Sequence, residues 1–192
     1  MKYPVFFLLL LLGGCEKLTS TPPLQQFPHV AQGSYAAALS DDGRYSAVSS
    51  IQDGVALWDL QTNALKYQWK HQDSAENLVF SLAISNNNSH VLTADQNTYA
   101  LWQVSNGENV GFWQLDAATV RDVAVSDNGE HLLIGKSNGG VQHITLASGR
   151  RLEFLGHTER INSVAMSPNG RYALTGGNDY KAHLWDTQSA QI

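Results

Sequence analysis

Between Val30 and Ser167 the chain has no proline, and in 192 residues it has a single cysteine and only 15% charged side chains. A span without proline keeps every backbone N–H available for strand pairing. One cysteine supplies no thiolate cluster, and the seven histidines, at 29, 71, 90, 131, 143, 157 and 183, lack the close pairs that a zinc-binding helix needs, so no metal site is expected. Runs of basic residues are missing too. The densest group is Arg150, Arg151 and Arg160 in a chain of net charge −5, which fits a solvated face and excludes nucleic acid as the expected partner. No apolar run approaches the roughly twenty residues that span a bilayer, and no segment repeats apolar residues at helical spacing long enough to compete with strands. A G-x-S-x-G elbow is absent. Gly135-Lys136-Ser137 follows Gly129 one position too late for a phosphate loop, so it reads as a hairpin turn. Catalysis and cofactors have no support in these patterns. What is present is 43% hydrophobic residues, enough for a sizeable core.

The first fifteen residues, MKYPVFFLLLLLGGC, differ from the rest: Lys2 precedes an apolar stretch from Val5 to Leu12 that ends in small residues, the layout of a secretory signal. Leu12-Gly13-Gly14-Cys15 resembles the bacterial lipobox, in which the cysteine thiol is diacylated and the chain is cut before it. The resemblance implies a signal peptide over residues 1–14, lipidation at Cys15 and a mature chain that begins there. A lone thiol in an exported protein is otherwise a liability. Glu16 rather than Asp follows the cysteine, which favours the periplasmic face of the outer membrane over the inner membrane. Residues 15–24, polar and proline-bearing, read as a short extended tether, and acyl chains anchor a protein without making it span.

From there the chain repeats. Ala-Leu-Ser, Ala-Ile-Ser, Ala-Val-Ser and Ala-Met-Ser end at Ser40, Ser85, Ser126 and Ser167, at nearly constant intervals. Each serine opens a turn: DDG at 41–43, NNN at 86–88, DNG at 127–129 and PNG at 168–170. Asn, Asp and Gly tolerate the positive φ of tight hairpins, so these are predicted hairpin corners. A second landmark, at Trp58, Trp102, Ile144 and Trp185, keeps the same period. An all-β fold of short antiparallel strands follows.

The chain from about Phe27 onward is similar to the WD40 repeat family. The fourth unit carries the likeness best, with Gly156-His157, Ser167-Pro168-Asn169-Gly170, Asp179 and Trp185-Asp186. The resemblance implies a β-propeller of four-stranded blades a-b-c-d, in which His157, Thr175, Asp179 and Trp185 form a buried hydrogen-bonded tetrad. A buried indole and hydroxyl need partners, and a His–Asp pair supplies them. The other units depart. Val48 and Gln52 stand where unit one would have its hydroxyl and turn Asp. Unit two keeps Thr93 and Trp102, but Lys70-His71 replaces Gly-His and its turn is one residue shorter. Unit three has Asp116, Ile134, Asn138 and Ile144. These departures weaken the expectation of tetrads in units one to three. Four recognisable blades are expected in a propeller domain over 25–192, at about 33–72, 73–115, 116–157 and 158–192.

Trp69, Trp113 and Phe154 mark the outer d strands, and a counterpart after Trp185 would fall near position 196, beyond Ile192. Phe27 precedes Ser40 at the same interval as Trp113 precedes Ser126 and Phe154 precedes Ser167. The segment LQQFPHVA at 24–31 is therefore expected to be a d strand that completes the last blade of a closed ring, with Pro28 suited to an edge. Three architectures satisfy this order: part of a seven-bladed propeller, four blades closing alone, or a homodimer in which two half-propellers exchange first strands into an eight-bladed ring. An open four-bladed monomer would expose two sheet faces.

Propellers of this family bind proteins on loops between strands d and a and between b and c, which the resemblance places near Glu159, Arg160 and Asn178. The expected function is a non-catalytic scaffold for other proteins at a bacterial envelope, attached through Cys15. Two alternatives are an outer-membrane assembly scaffold, whose Trp-Gln signature this chain lacks apart from Trp102-Gln103 and Trp113-Gln114, and a propeller hydrolase or quinoprotein.

Overall fold

The computed structural model describes residues 21–24, 26, 29, 33–72 and 78–189. The expected signal peptide and Cys15 lie outside the described residues, as do Phe27 and Pro28. Fifteen strands make up the rest, and no helix occurs among the described residues. They form four antiparallel meanders: β1 (Ser34–Leu39), β2 (Tyr45–Ser50), β3 (Gly54–Asp59) and β4 (Ala64–Trp69); β5 (Ser81–Ile84), β6 (His90–Ala94), β7 (Thr98–Gln103) and β8 (Asn109–Gln114); β9 (Val120–Val125), β10 (His131–Lys136), β11 (Gly140–Thr145) and β12 (Arg150–Leu155); and β13 (Ile161–Met166), β14 (Tyr172–Gly177) and β15 (Ala182–Asp186). These are WD40-type propeller blades, and among the described residues the array is not closed into a ring. Where four four-stranded blades were expected, the fourth has three strands among the described residues.

The four repeated serines close the a–b hairpins. Each hydroxyl accepts the backbone N–H five residues on, at 2.8 Å for Ser40, 2.9 Å for Ser85, 3.0 Å for Ser126 and 2.9 Å for Ser167, and donates to the Asp or Asn two residues on. The corner residues take positive φ as the sequence predicts: Gly43 69°, Asn88 59°, Gly129 77° and Gly170 71°. The corners also touch one another: Asn88 Nδ2 donates to Asp42 at 2.7 Å, Asn87 N–H to Asp127 O at 3.3 Å, and Asp127 N–H to Pro168 O at 2.9 Å. Successive blades are thereby held in step at one end.

Period-two alternation gives every blade two faces to bury, and the core lies between blades. One apolar cluster joins blades one and two through Leu57, Trp69, Val79 and Val91; a second joins two and three through Leu101, Val123, Leu132 and Ile144; a third joins three and four through Leu133, Phe154, Ile161 and Trp185. The landmark aromatics stack across these seams. Trp69 lies 5.3 Å from Trp102 and Phe154 5.1 Å from Trp185, each pair nearly parallel. Trp113 packs against the cluster that contains Ile144. Trp58 in blade one is stacked by His29, at 4.4 Å and 8°. Of the expected d strand at 24–31, the described residues Leu24, Gln26 and His29 are not in a strand, and Leu24 is fully exposed. His29 nevertheless rests on Trp58 as Trp69 rests on Trp102.

Candidate functional site

The fourth blade assembles its tetrad from four places in the chain. His157 comes from the loop between β12 and β13, Thr175 from β14, Asp179 from the β14–β15 turn, and Trp185 from β15. The Trp185 indole N–H donates to Thr175 Oγ1 at 2.9 Å, and Thr175 Oγ1 lies 2.8 Å from His157 Nε2. His157 Nδ1 lies 2.8 Å from Asp179 Oδ1, and the N–H groups of Thr158 and Lys181 donate to the same carboxylate at 3.1 and 3.2 Å. Burial works to raise the Asp179 carboxyl, but the hydrogen bond from His157 and the two backbone N–H donors outweigh it and hold the group down to about 2. An ionised Asp179 sets the direction of the chain: Nδ1–H donates to Asp179, Nε2 accepts the Thr175 hydroxyl, and Thr175 accepts the indole. Each polar side-chain atom of these four residues that joins the row is satisfied.

Blade two contains the same device, which the sequence did not lead one to expect. His71 Nε2 lies 2.7 Å from Thr93 Oγ1, the Trp102 indole N–H donates to Thr93 at 2.8 Å, and His71 Nδ1 faces Thr98 Oγ1 at 2.8 Å and Asp95 Oδ2 at 3.4 Å. Burial works to raise Asp95 as well, yet hydrogen bonds from His71, Thr98 and Asn97 hold it at about 2. His71 stands farther ahead of Trp102 in the chain than His157 does of Trp185; the sequence sets it at the Gly-His position, but Lys70 in place of Gly and the shorter turn weakened the expectation of a tetrad. The shorter turn moves the aspartate to position 95 without breaking the pair.

Blades one and three pack without tetrads among the described residues. Ile134 and Ile144 fill the hydroxyl and indole positions of blade three with apolar surface, 0% and 2% exposed. Beside them Lys136, itself buried, pairs with Glu153, and a polar cavity of about 250 Å³ opens among Lys136, Asn138, Gln142, Arg151 and Asp116. In blade one the Trp58 indole N–H is buried without a hydrogen-bond partner among the described residues.

The expected partner-binding residues share one loop cluster in blade four. Glu159 and Arg160 are exposed, while Asn178 is half-buried; its N–H donates to Arg160 O at 3.0 Å and its Oδ1 accepts from Asn162 Nδ2 at 2.6 Å. The sequence reading missed Tyr180, which is fully exposed at the tip of the β14–β15 turn with φ 62°. A left-handed non-glycine residue bearing a bare aromatic ring is uncommon; only its place one residue after Asp179 could have signalled it.

Blades of antiparallel strands, stacked aromatic seams and Trp–Thr–His–Asp rows define WD40-type propeller architecture. Accordingly, residues 149–186 match the family described as "WD domain, G-beta repeat". The chain is similar to the WD repeat-containing protein SL1-17 of Schistosoma mansoni, 26% identical over 88% of this chain and 56% of that protein. It also resembles the target of rapamycin complex subunit wat1 of Schizosaccharomyces pombe, 24% identical over 88% of this chain and 56% of that protein. A cyanobacterial relative, the WD repeat-containing protein sll1491 of Synechocystis, is 32% identical over 53% of this chain and 29% of its own length. The chain thus spans about half the length of the first two relatives.

Proposed function

We propose that this WD40 repeat protein is a non-catalytic scaffold that binds other proteins at a bacterial envelope, held there by lipid on Cys15. The membrane part of this reading rests on Leu12-Gly13-Gly14-Cys15 and Glu16, the latter favouring the periplasmic face of the outer membrane. The binding part rests on one observation: Tyr180, fully exposed with a positive φ, sits on the β14–β15 turn that the Asn178 N–H to Arg160 O hydrogen bond ties to the loop of Glu159 and Arg160, on the best-preserved blade. Tyrosine and arginine dominate the energetics of protein interfaces, and a central anchor contributes about 2 kcal/mol or more, roughly 30-fold in affinity. A photo-crosslinking residue at position 159 identifies the partner, and Tyr180→Ala then weakens binding to the purified partner by that factor. Unchanged affinity refutes the assignment of this face. Fatty-acid labelling that persists in Cys15→Ala refutes the anchor.

The exposed end of the array favours more blades than four. The residue before each landmark is buried in the first three blades, Leu57 and Leu101 at 0% and His143 at 2%, whereas Leu184 in blade four is 58% exposed. Leu174 and Tyr172 share that face at 48% and 44%. In this reading a further blade covers them, from a longer chain or from a second copy in a homodimer. Light scattering separates the two, a homodimer giving twice the mass of the chain.

A further inference from the structure

The tetrads of blades two and four differ in the residue that faces their threonine. Across from Thr93, blade two places Ala100; across from Thr175, blade four places His183. His183 lies on the same face of β15 as Trp185, and its ring meets His157 edge-on at 4.4 Å. Its Nε2 is buried and has no hydrogen-bond partner among the described residues. An orphaned imidazole nitrogen beside a His–carboxylate pair has no structural explanation in the tetrad, because blade two completes the same row with a methyl group there. The ligand atoms of His157, Asp179 and His183 all lie within 4.8 Å of one another. Gly177 keeps the space beside them clear: a Cβ at that position would come within 2.7 Å of His157 Nδ1 and 2.9 Å of Asp179 Oδ1.

We propose that His157, Asp179 and His183 form a binding site for a divalent transition metal of the zinc type. Two imidazoles and one carboxylate are a donor set suited to Zn²⁺, Co²⁺ or Ni²⁺, and three protein ligands leave a fourth position for water. The cation takes His157 Nδ1, an Asp179 oxygen and His183 Nε2. His157 stays neutral by moving its proton from Nδ1 to Nε2, where it donates to Thr175 Oγ1. The Thr175 hydroxyl proton then turns to a backbone carbonyl, as the Thr93 hydroxyl donates to Ala100 O at 3.2 Å in blade two. Thr175 thereby fixes the ring of a ligating histidine from behind. Sequence spacing excluded a helical zinc motif, but strands β14 and β15 and the β12–β13 loop bring the three groups together without one. A bound cation ties the loop that enters blade four to its last two strands, so the fourth blade becomes metal-responsive.

The test uses the full chain with Cys15→Ser, which removes the competing thiol, titrated with Co²⁺ and Zn²⁺ at neutral pH. The expected result is one Co²⁺ per chain with absorption bands of a low-coordinate nitrogen and oxygen site, displaced by Zn²⁺, and a melting temperature that rises with Zn²⁺. His183→Ala, which copies blade two, leaves the metal-free melting temperature close to the parent's and lowers affinity by at least about tenfold, the lower end of what even outer-shell partners of a metal cost. Asp179→Asn lowers it as well. Failure of the parent to bind either metal saturably overturns the proposal, as does equal affinity in parent and His183→Ala, the outcome expected if the metal instead took the pair His131 Nδ1 and His143 Nε2, 3.2 Å apart in blade three.

Discussion

Replacing Thr175 by valine removes one hydroxyl from the middle of the blade-four row while keeping the side chain's shape. Thr175 is 1% exposed, and its Oγ1 serves both the Trp185 indole at 2.9 Å and His157 Nε2 at 2.8 Å. Valine leaves a buried donor and a buried acceptor unpaired at once. At about 1–3 kcal/mol for each orphaned group, the loss is about 2–6 kcal/mol, and for a chain of this size each kcal/mol lowers the melting temperature by roughly 2–4 °C. A double-mutant cycle with Trp185→Phe isolates the cause, because phenylalanine removes the orphaned donor and the double variant must lose less than the sum of the singles. The third blade shows the end point of that logic, with Ile134 and Ile144 packing the same two positions without polar groups. Thermal and urea unfolding of the four proteins measure the cycle. A Thr175→Val loss below about 1 kcal/mol, or strictly additive singles, refutes the claim that the row is held by its hydrogen bonds rather than by shape.

Two further outcomes follow from the seams between blades. Burial, reinforced by the positive charges of His131 and Arg150, depresses His143 from 6.5 to about 4. The unfolded chain therefore takes up this proton first, so the contribution is fully present above pH 6.5 and is lost as pH falls from 6.5 toward 4. It amounts to about 3 kcal/mol, and in His143→Leu the stability change between pH 7 and pH 4.5 shrinks accordingly; an unchanged pH dependence contradicts the burial argument. Gly170→Ala costs at least about 1 kcal/mol, because Gly170 has φ 71° and a Cβ there would run into the His131 ring. Gly149→Ala, with φ 68° and open space around it, suffers only the backbone strain, and equal losses by calorimetry would show that the contact with His131 contributes nothing.

Much of the architecture was legible in the sequence because it depends on local chemistry. Ser-Asx turns with a positive-φ corner close hairpins wherever they occur, so Ser40, Ser85, Ser126 and Ser167 marked four blades before any packing was known. The resemblance to the WD40 family named the blade-four tetrad, because Thr175, the turn residue Asp179 and Trp185 stand at the family's intervals along one hairpin. His71 stood at the expected place, but Lys70 in place of Gly and a shorter turn weakened the expectation: a histidine delivered by a loop can approach its hydroxyl from a variable distance along the chain, so only the fold shows that it reaches Thr93. Tyr180 and His183 escaped for another reason. A single residue type at a turn tip or mid-strand has no spacing to betray it, and only the folded blade shows the one ring bare and the other turned toward His157. Strand order, turn chemistry and the apolar period are properties of neighbours in sequence, and the sequence by itself determined them. Which rings stack across a seam, which histidine nitrogen is left unpaired and which face stays uncovered depend on contacts between segments distant in the chain, as between His157 and Asp179 or between Tyr67 and Ser105, and only the tertiary structure decided those.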